Sequence, residues 1–167
     1  MQRCPHCGSA AFDAITEKEF KCGDCGFNFF PNSACAVVAI IYDADGRMML
    51  AIRGREPWKG MLDLPGGFVD PGEGAETALK REMSEELGAE VTEMRYLCSY
   101  PNRYIFSGYE VRTTDLAFEC KLRDMSQLKT MDDIDGIVWC YPEDIVLEEI
   151  AGESIRNIIA YVVANKS

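Results

Sequence analysis

Three glutamates, Glu82, Glu85 and Glu86, fall at i, i+3 and i+4, so on a helix their carboxylates would share one face within a single turn. Without metal such like charges repel by about a few tenths of a kcal/mol per pair, whereas hard divalent cations bind carboxylate oxygens and reverse the sign. Arg81 stands four residues before Glu85 and can hold that carboxylate in place. Ahead of the run, Gly66 and Gly67 permit positive φ and close backbone approach, which lets a main-chain carbonyl or amide face the same cation or a phosphate bound to it. The chemistry open to this set is hydrolysis of a phosphoanhydride. Metal ions neutralise the phosphate oxygens and acidify a bound water, one carboxylate takes the proton, and in-line attack breaks the bridge.

A second constellation lies at the N-terminus. Cys4-Pro-His-Cys7 and Cys22-Gly-Asp-Cys25 are two C-x2-C turns fourteen residues apart, each followed by glycine, at Gly8 and Gly26. Two such turns supply the four sulfurs of a tetrahedral Zn²⁺ site, and the first thirty residues carry too little apolar material to fold without one. A redox pair or a disulfide is the alternative use of these thiols. His6 sits between two ligands as a bystander. Around it Arg3, Lys18 and Lys21 are outweighed by Asp13, Glu17, Glu19 and Asp24, a poor phosphate-binding surface, so scaffolding or dimer contact fits better than nucleic-acid binding. Cys35, Cys98, Cys120 and Cys140 are scattered singly through apolar runs and read as core residues.

Composition narrows the remaining choices. The 167 residues suit one medium domain with a small appendage, and 47% apolar content is enough to bury a core. A net charge of −11 disfavours broad electrostatic capture of nucleic acid or anionic membrane. The single histidine, His6, leaves the rest of the chain without an imidazole for a Ser-His or Cys-His pair. The longest apolar stretch, Ala34 to Tyr42, is under half of the roughly 20 residues a spanning helix needs, and the N-terminus lacks a signal pattern, so a cytoplasmic protein is expected.

The elements that must position these residues follow from periodicity. Ala34 to Tyr42 and Arg47 to Arg53 read as strands joined in a hairpin by the turn Asp43-Ala-Asp-Gly46. Gly54 to Gly74 holds too many glycines and prolines for regular structure and reads as a shaped loop with a short strand near Met61 to Leu64. Leu79, Met83 and Leu87, spaced by four, mark an amphipathic helix over Glu76 to Leu87 that Gly88 stops. Val91 to Tyr100, Thr113 to Leu122 and Gly136 to Tyr141 read as strands, and Ser154 to Ala164 as a second helix. This order predicts an α/β fold, a mixed sheet with helices on its faces.

The segment from Gly67 to Ala89 resembles the Nudix box G-x5-E-x7-R-E-U-x-E-E-x-G-U, through Gly67, Glu73, Arg81, Glu82, Glu85, Glu86 and Gly88, with Met83 and Ala89 at the apolar sites. The resemblance implies a Nudix hydrolase domain over residues 33–167, an α/β/α sandwich around a mixed sheet, preceded by a zinc ribbon over residues 1–32. It implies Mg²⁺ or Mn²⁺ as cofactor beside structural Zn²⁺. It gives Glu82, Glu85 and Glu86 as metal ligands and catalytic residues with the Gly66 carbonyl beside them, Arg81 to orient the glutamates, and Glu73 to brace the loop. The substrates implied are nucleoside diphosphates linked to another group.

A four-cysteine ribbon ahead of such a domain is similar to the NADH pyrophosphatase branch, which acts on NAD(H) and in some members removes NAD caps from RNA. Asp133, six places before Trp139, resembles that branch's further metal carboxylate, with Asp where Glu is usual. The branch's signature S-Q-P-W-P-F-P-x-S is represented only by the serine and proline of Ser99-Tyr-Pro-Asn-Arg-Tyr104. A loop there would line the substrate pocket, with Tyr100 or Tyr104 stacking on a base and Arg103 meeting a phosphate. Arg53 and Arg55 are further phosphate candidates, and Trp58 reads as loop packing. The expectation is a diphosphatase acting on NAD(H) or ADP-ribose, with homodimerisation implied by the resemblance. A non-catalytic Nudix sensor whose ribbon contacts nucleic acid or protein is the competing function.

Overall fold

The computed structural model describes residues 3–131 and 133–165, and it divides the chain into two compact units, Met1–Ser33 and Ala34–Ser167. In the first, β1 (Phe12–Thr16), β2 (Glu19–Cys22) and β3 (Asn28–Phe29) form an antiparallel sheet in that order. Its core is small: Phe12 and the sulfurs of Cys4 and Cys22, covered by Phe20, Phe27 and Phe29.

The second unit is built on two sheets. β4 (Ala34–Ile41), β7 (Gly66–Phe68), β8 (Val91–Phe106) and β9 (Tyr109–Leu122) form a mixed sheet in the order β7-β4-β9-β8, while β5 (Met48–Arg53), β6 (Leu62–Asp63) and β10 (Ile134–Cys140) form an antiparallel one in the order β10-β5-β6. Helices α1 (Ala75–Leu87) and α2 (Glu153–Ala164) each cover a separate core. Val37, Ala39 and Ile41 pack with Leu79, Met83 and Leu87 of α1, whereas Val38 and Ile40 pack with Ile155, Ile158 and Ile159 of α2. Strand alternation sends neighbouring side chains to opposite layers, and each fully buried Leu or Ile stabilises the fold by about 1.5–3 kcal/mol. This is the expected α/β/α arrangement around a mixed sheet. No helix is long and apolar enough to cross a membrane among the described residues.

Two expectations are corrected. Ala34 to Tyr42 and Arg47 to Arg53 do not pair as a hairpin: the turn forms, with the Gly46 amide donating to the Asp43 carbonyl at 3.1 Å, but only Tyr42 and Met48 bridge across it. β4 pairs instead in parallel with β9, from Ala34 opposite Thr113 to Ile41 opposite Cys120, and antiparallel with β7. Residues 101–112 are not a loop. β8 and β9 continue to a two-residue turn at Ser107 and Gly108, both with positive φ, as a tight hairpin requires. Pro101 is accommodated because β8 is an edge strand with no ladder bond to give on its outer side.

Candidate active site

α1 ends where the sequence expects, at Gly88 with φ 61, and it carries Glu82, Glu85 and Glu86 on the side facing β7 and its loop. Arg81 ties the assembly together. Its guanidinium donates to Glu73 Oε2 at 3.0 Å, Glu82 Oε1 at 2.8 Å, Glu85 Oε2 at 3.0 Å and the Phe68 carbonyl at 2.9 Å. Glu73 in turn accepts the Asp70 amide at 3.2 Å, which closes the loop ahead of the helix. The Arg81 guanidinium holds the Glu73 carboxyl below its ordinary value, and Glu73 raises Arg81 in return.

Glu86 is set apart from this network. It is 6% exposed, and its Oε2 accepts the Gly66 amide at 2.9 Å. Burial pushes its carboxyl up to about 8, with the neighbouring charges of Glu82, Asp63 and Asp133 adding to the rise and the Gly66 amide opposing it. Burial also raises Glu82 against the pull of Arg81. The two glycines are crowded in different ways. A Cβ at Gly66, where φ is 147, would run into the Val37 carbonyl oxygen, and one at Gly67 would stand 2.5 Å from Glu82 Oε1.

Glu86, Gly66 and Gly67 line a cleft of about 200 Å³. Arg53, Arg55, Tyr104 and Asp133 also line it, as does Trp58, whose ring meets Tyr104 edge-on at 5.7 Å. Arg53 pairs with Asp63 and donates to the Pro57 carbonyl at 2.9 Å, and Arg55 pairs with Asp133. Asp63 is pushed up to about 6 by burial in spite of Arg53. Tyr100 and Arg103 are not brought into the cleft. Tyr100 packs into the α2 core, and Arg103, one residue before Tyr104 on β8, falls on the other face and is exposed. Asp63, Asn102 and Asp115 line the cleft without having been legible as site residues, because each reads locally as a polar position in a loop or strand.

Among the described residues, only Cys4, Cys7, Cys22 and Cys25 bring three or more ligand atoms within 4.8 Å of one another. The Cys4 and Cys25 sulfurs lie 3.8 Å apart and those of Cys7 and Cys22 3.7 Å, close to the about 3.8 Å that tetrahedral Zn–S bonds of 2.3 Å impose. All four thiols are free of disulfides. The Gly8 and Gly26 amides close the two turns onto the Cys4 and Cys22 carbonyls at 2.8 and 3.0 Å. This donor set suits zinc, as a ribbon requires.

The helix carboxylates are spread more widely, Glu82 and Glu85 on Arg81 and Glu86 on the Gly66 amide. A buried carboxylate with a neutral amide as its described donor and further acids around it fits a hard divalent cation, which would meet oxygen ligands only. A family model for the NUDIX domain matches residues 33–162. The chain belongs to the NUDIX family. The chain is similar in fold to a NUDIX hydrolase from Nitrosomonas europaea, at a TM-score of 0.72 and 21% identity, covering 99% of this chain and 93% of that one. In sequence it is 29% identical over 160 residues to the NAD-capped RNA hydrolase NudC of Vibrio atlanticus, covering 95% of this chain and 58% of that protein. It is 35% identical over 99 residues to the protein of the same name from Shigella flexneri, covering 59% of this chain and 37% of the other. The chain thus spans 58% and 37% of the lengths of these two NudC proteins. Divalent metals are general cofactors of NUDIX enzymes, and Glu82, Glu85 and Glu86 stand at the family's box positions.

Proposed function

We propose that this NUDIX chain hydrolyses the diphosphate bond of a nucleoside diphosphate linked to a second moiety, with NAD(H) and ADP-ribose foremost, and with NAD-capped RNA as a larger substrate of the same chemistry. The observation that carries the reading is one cleft lined together by Glu86, the Gly66–Gly67 bend, two arginines, and the Trp58 and Tyr104 rings. That combination of groups fits a diphosphate flanked by a base.

Glu82, Glu85 and Glu86, with the Gly66 carbonyl and Asp133, are the residues that would hold Mg²⁺ or Mn²⁺. When bound, these ions supply charge neutralisation at the phosphates and a more acidic water. The chain's own groups do the rest. Arg81 fixes Glu82 and Glu85 through its planar fork, and Glu73 keeps that fork in place through Asp70. A carboxylate of the trio accepts the proton of the attacking water. Arg53 and Arg55, each held by an acid, turn toward an anionic diphosphate that competes with Asp63 and Asp133 for them. Trp58 and Tyr104 offer flat apolar walls to a base. The four cysteines, as thiolates, would hold a structural Zn²⁺, and we place the chain in the cytoplasm.

The test is a nucleotide panel with product identification. NADH and ADP-ribose are expected to yield AMP and the matching mononucleotide or sugar phosphate in the presence of Mg²⁺, and Glu86→Gln to abolish turnover while leaving the fold intact. Nucleotide binding without turnover by the unaltered chain would overturn the reading.

A further inference from the structure

The cleft wall around Asp115 and Asn102 has a chemical bias that phosphate binding does not use. Asp115 on β9 is 5% exposed, yet no cation is described against it: its oxygens accept the hydroxyls of Thr113, at 2.6 Å, and of Ser154, the second residue of α2. A carboxylate offers about four lone-pair positions, so two hydroxyls leave it unsaturated. Asn102 lies beside it, opposite Thr113 in the β8–β9 register, and its Oδ1 is buried with no hydrogen-bond partner among the described residues. A buried acceptor left unpaired is costly, so the fold keeps an unmet demand for an N–H donor here.

The space in front of these groups is shaped as well as charged. Gly152 opens α2 with φ 75. A Cβ there would sit 3.4 Å from Asn102 Nδ2 and 3.8 Å from the Trp58 ring, so the glycine keeps a slot open between an amide and an aromatic wall. From these contacts we infer that Asn102 and Asp115 form a base-reading subsite, selecting a nucleobase that presents an exocyclic amino group, adenine or cytosine, over its keto counterpart, hypoxanthine or uracil. The amino hydrogens meet Asn102 Oδ1 and the acceptor-only Asp115 carboxylate, while a keto oxygen in the same place can take a hydrogen bond only from Asn102 Nδ2 and leaves those oxygens unpaired. Asn102 sets specificity; Thr113 and Ser154 position the Asp115 carboxylate. The inference deepens the proposed diphosphatase reading by naming what the Asn102–Asp115 wall of the cleft recognises, and it rests on that reading for the substrate the cleft takes.

The experiment compares AMP with IMP, and CMP with UMP, by quenching of Trp58 fluorescence in a Trp139→Phe chain, so that binding is read independently of hydrolysis. The amino nucleotide of each pair is expected to bind about tenfold or more tightly. Asn102→Leu, close in volume, is expected to bring each ratio close to unity at unchanged melting temperature. In the unaltered chain, NAD and nicotinamide hypoxanthine dinucleotide should differ by the same factor in KM with kcat little changed. Equal affinities within each pair, failure of every nucleotide to bind, or a ratio that survives Asn102→Leu would overturn the subsite. Selective binding without turnover of NAD would instead overturn the hydrolase reading and leave the subsite standing.

Discussion

The Gly66 amide donates to Glu86 Oε2 at 2.9 Å across a glycine bend that admits no side chain, so the most buried acid of the helix is held by the loop rather than by Arg81. Helix α1 is therefore divided between two kinds of support: a cationic fork for Glu82 and Glu85, and a neutral amide for Glu86.

Folding raises the Glu86 pKa from an ordinary 4.5 to about 8, so between these values the native state binds the proton more tightly than the unfolded chain. Its contribution to stability is full below about 4.5 and is lost as pH rises through 8. In metal-free protein, the melting temperature of Glu86→Gln minus that of the unaltered chain should increase from pH 5 to pH 8. Added Mg²⁺ should narrow the gap by stabilising the unaltered chain. A difference that does not vary with pH, measured by thermal melts in chelated buffer, would count against the buried carboxylate.

Arg81→Lys keeps the charge and loses the fork. Lysine cannot span Glu73, Glu82, Glu85 and the Phe68 carbonyl at once, so turnover should fall at least about tenfold with stability lowered by about 1–3 kcal/mol. Steady-state kinetics with a denaturant titration reads both.

The two glycines should separate. Gly66→Ala drives a methyl into backbone and is expected to destabilise by about 3 kcal/mol or more, whereas Gly67→Ala meets only the end of the Glu82 side chain. Gly67→Ala should fold and melt within about 1 kcal/mol of the unaltered chain while losing Mg²⁺ affinity and activity. Calorimetric Mg²⁺ titration of the folded variant is the check.

Zinc is expected at about one ion per chain. Cys25→Ser should lower that content sharply and render residues up to Ser33 sensitive to protease, because the aromatic cluster around Phe12 is too small to hold the first unit alone. Metal analysis with limited proteolysis decides the matter; protease resistance in a zinc-free chain would remove the structural role.

What could be read in advance was local. The glutamate spacing on α1 and the paired C-x2-C turns are short-range patterns, and each folds as its spacing requires. β4 was misjudged because its true partner, β9, is more than seventy residues away, and a turn at Asp43 to Gly46 says nothing about which ladder its flanks will join. Pro101 and Asn102 look like breakers until β8 is known to be an edge. Asp115 reads as one more polar position in an alternating strand, and its burial depends on Ser154, thirty-nine residues on.

Val37 and Val38 are neighbours in the chain, yet one backs α1 and the other the α2 layer that carries Ser154. Under the proposed function, selectivity and chemistry would lie on separate faces of a single strand. A library confined to Ala36, Val38 and their cross-strand partners Asp115 and Ala117 would recast what the enzyme admits, with Leu79, Met83 and Leu87 left in their native seats as the fixed chassis.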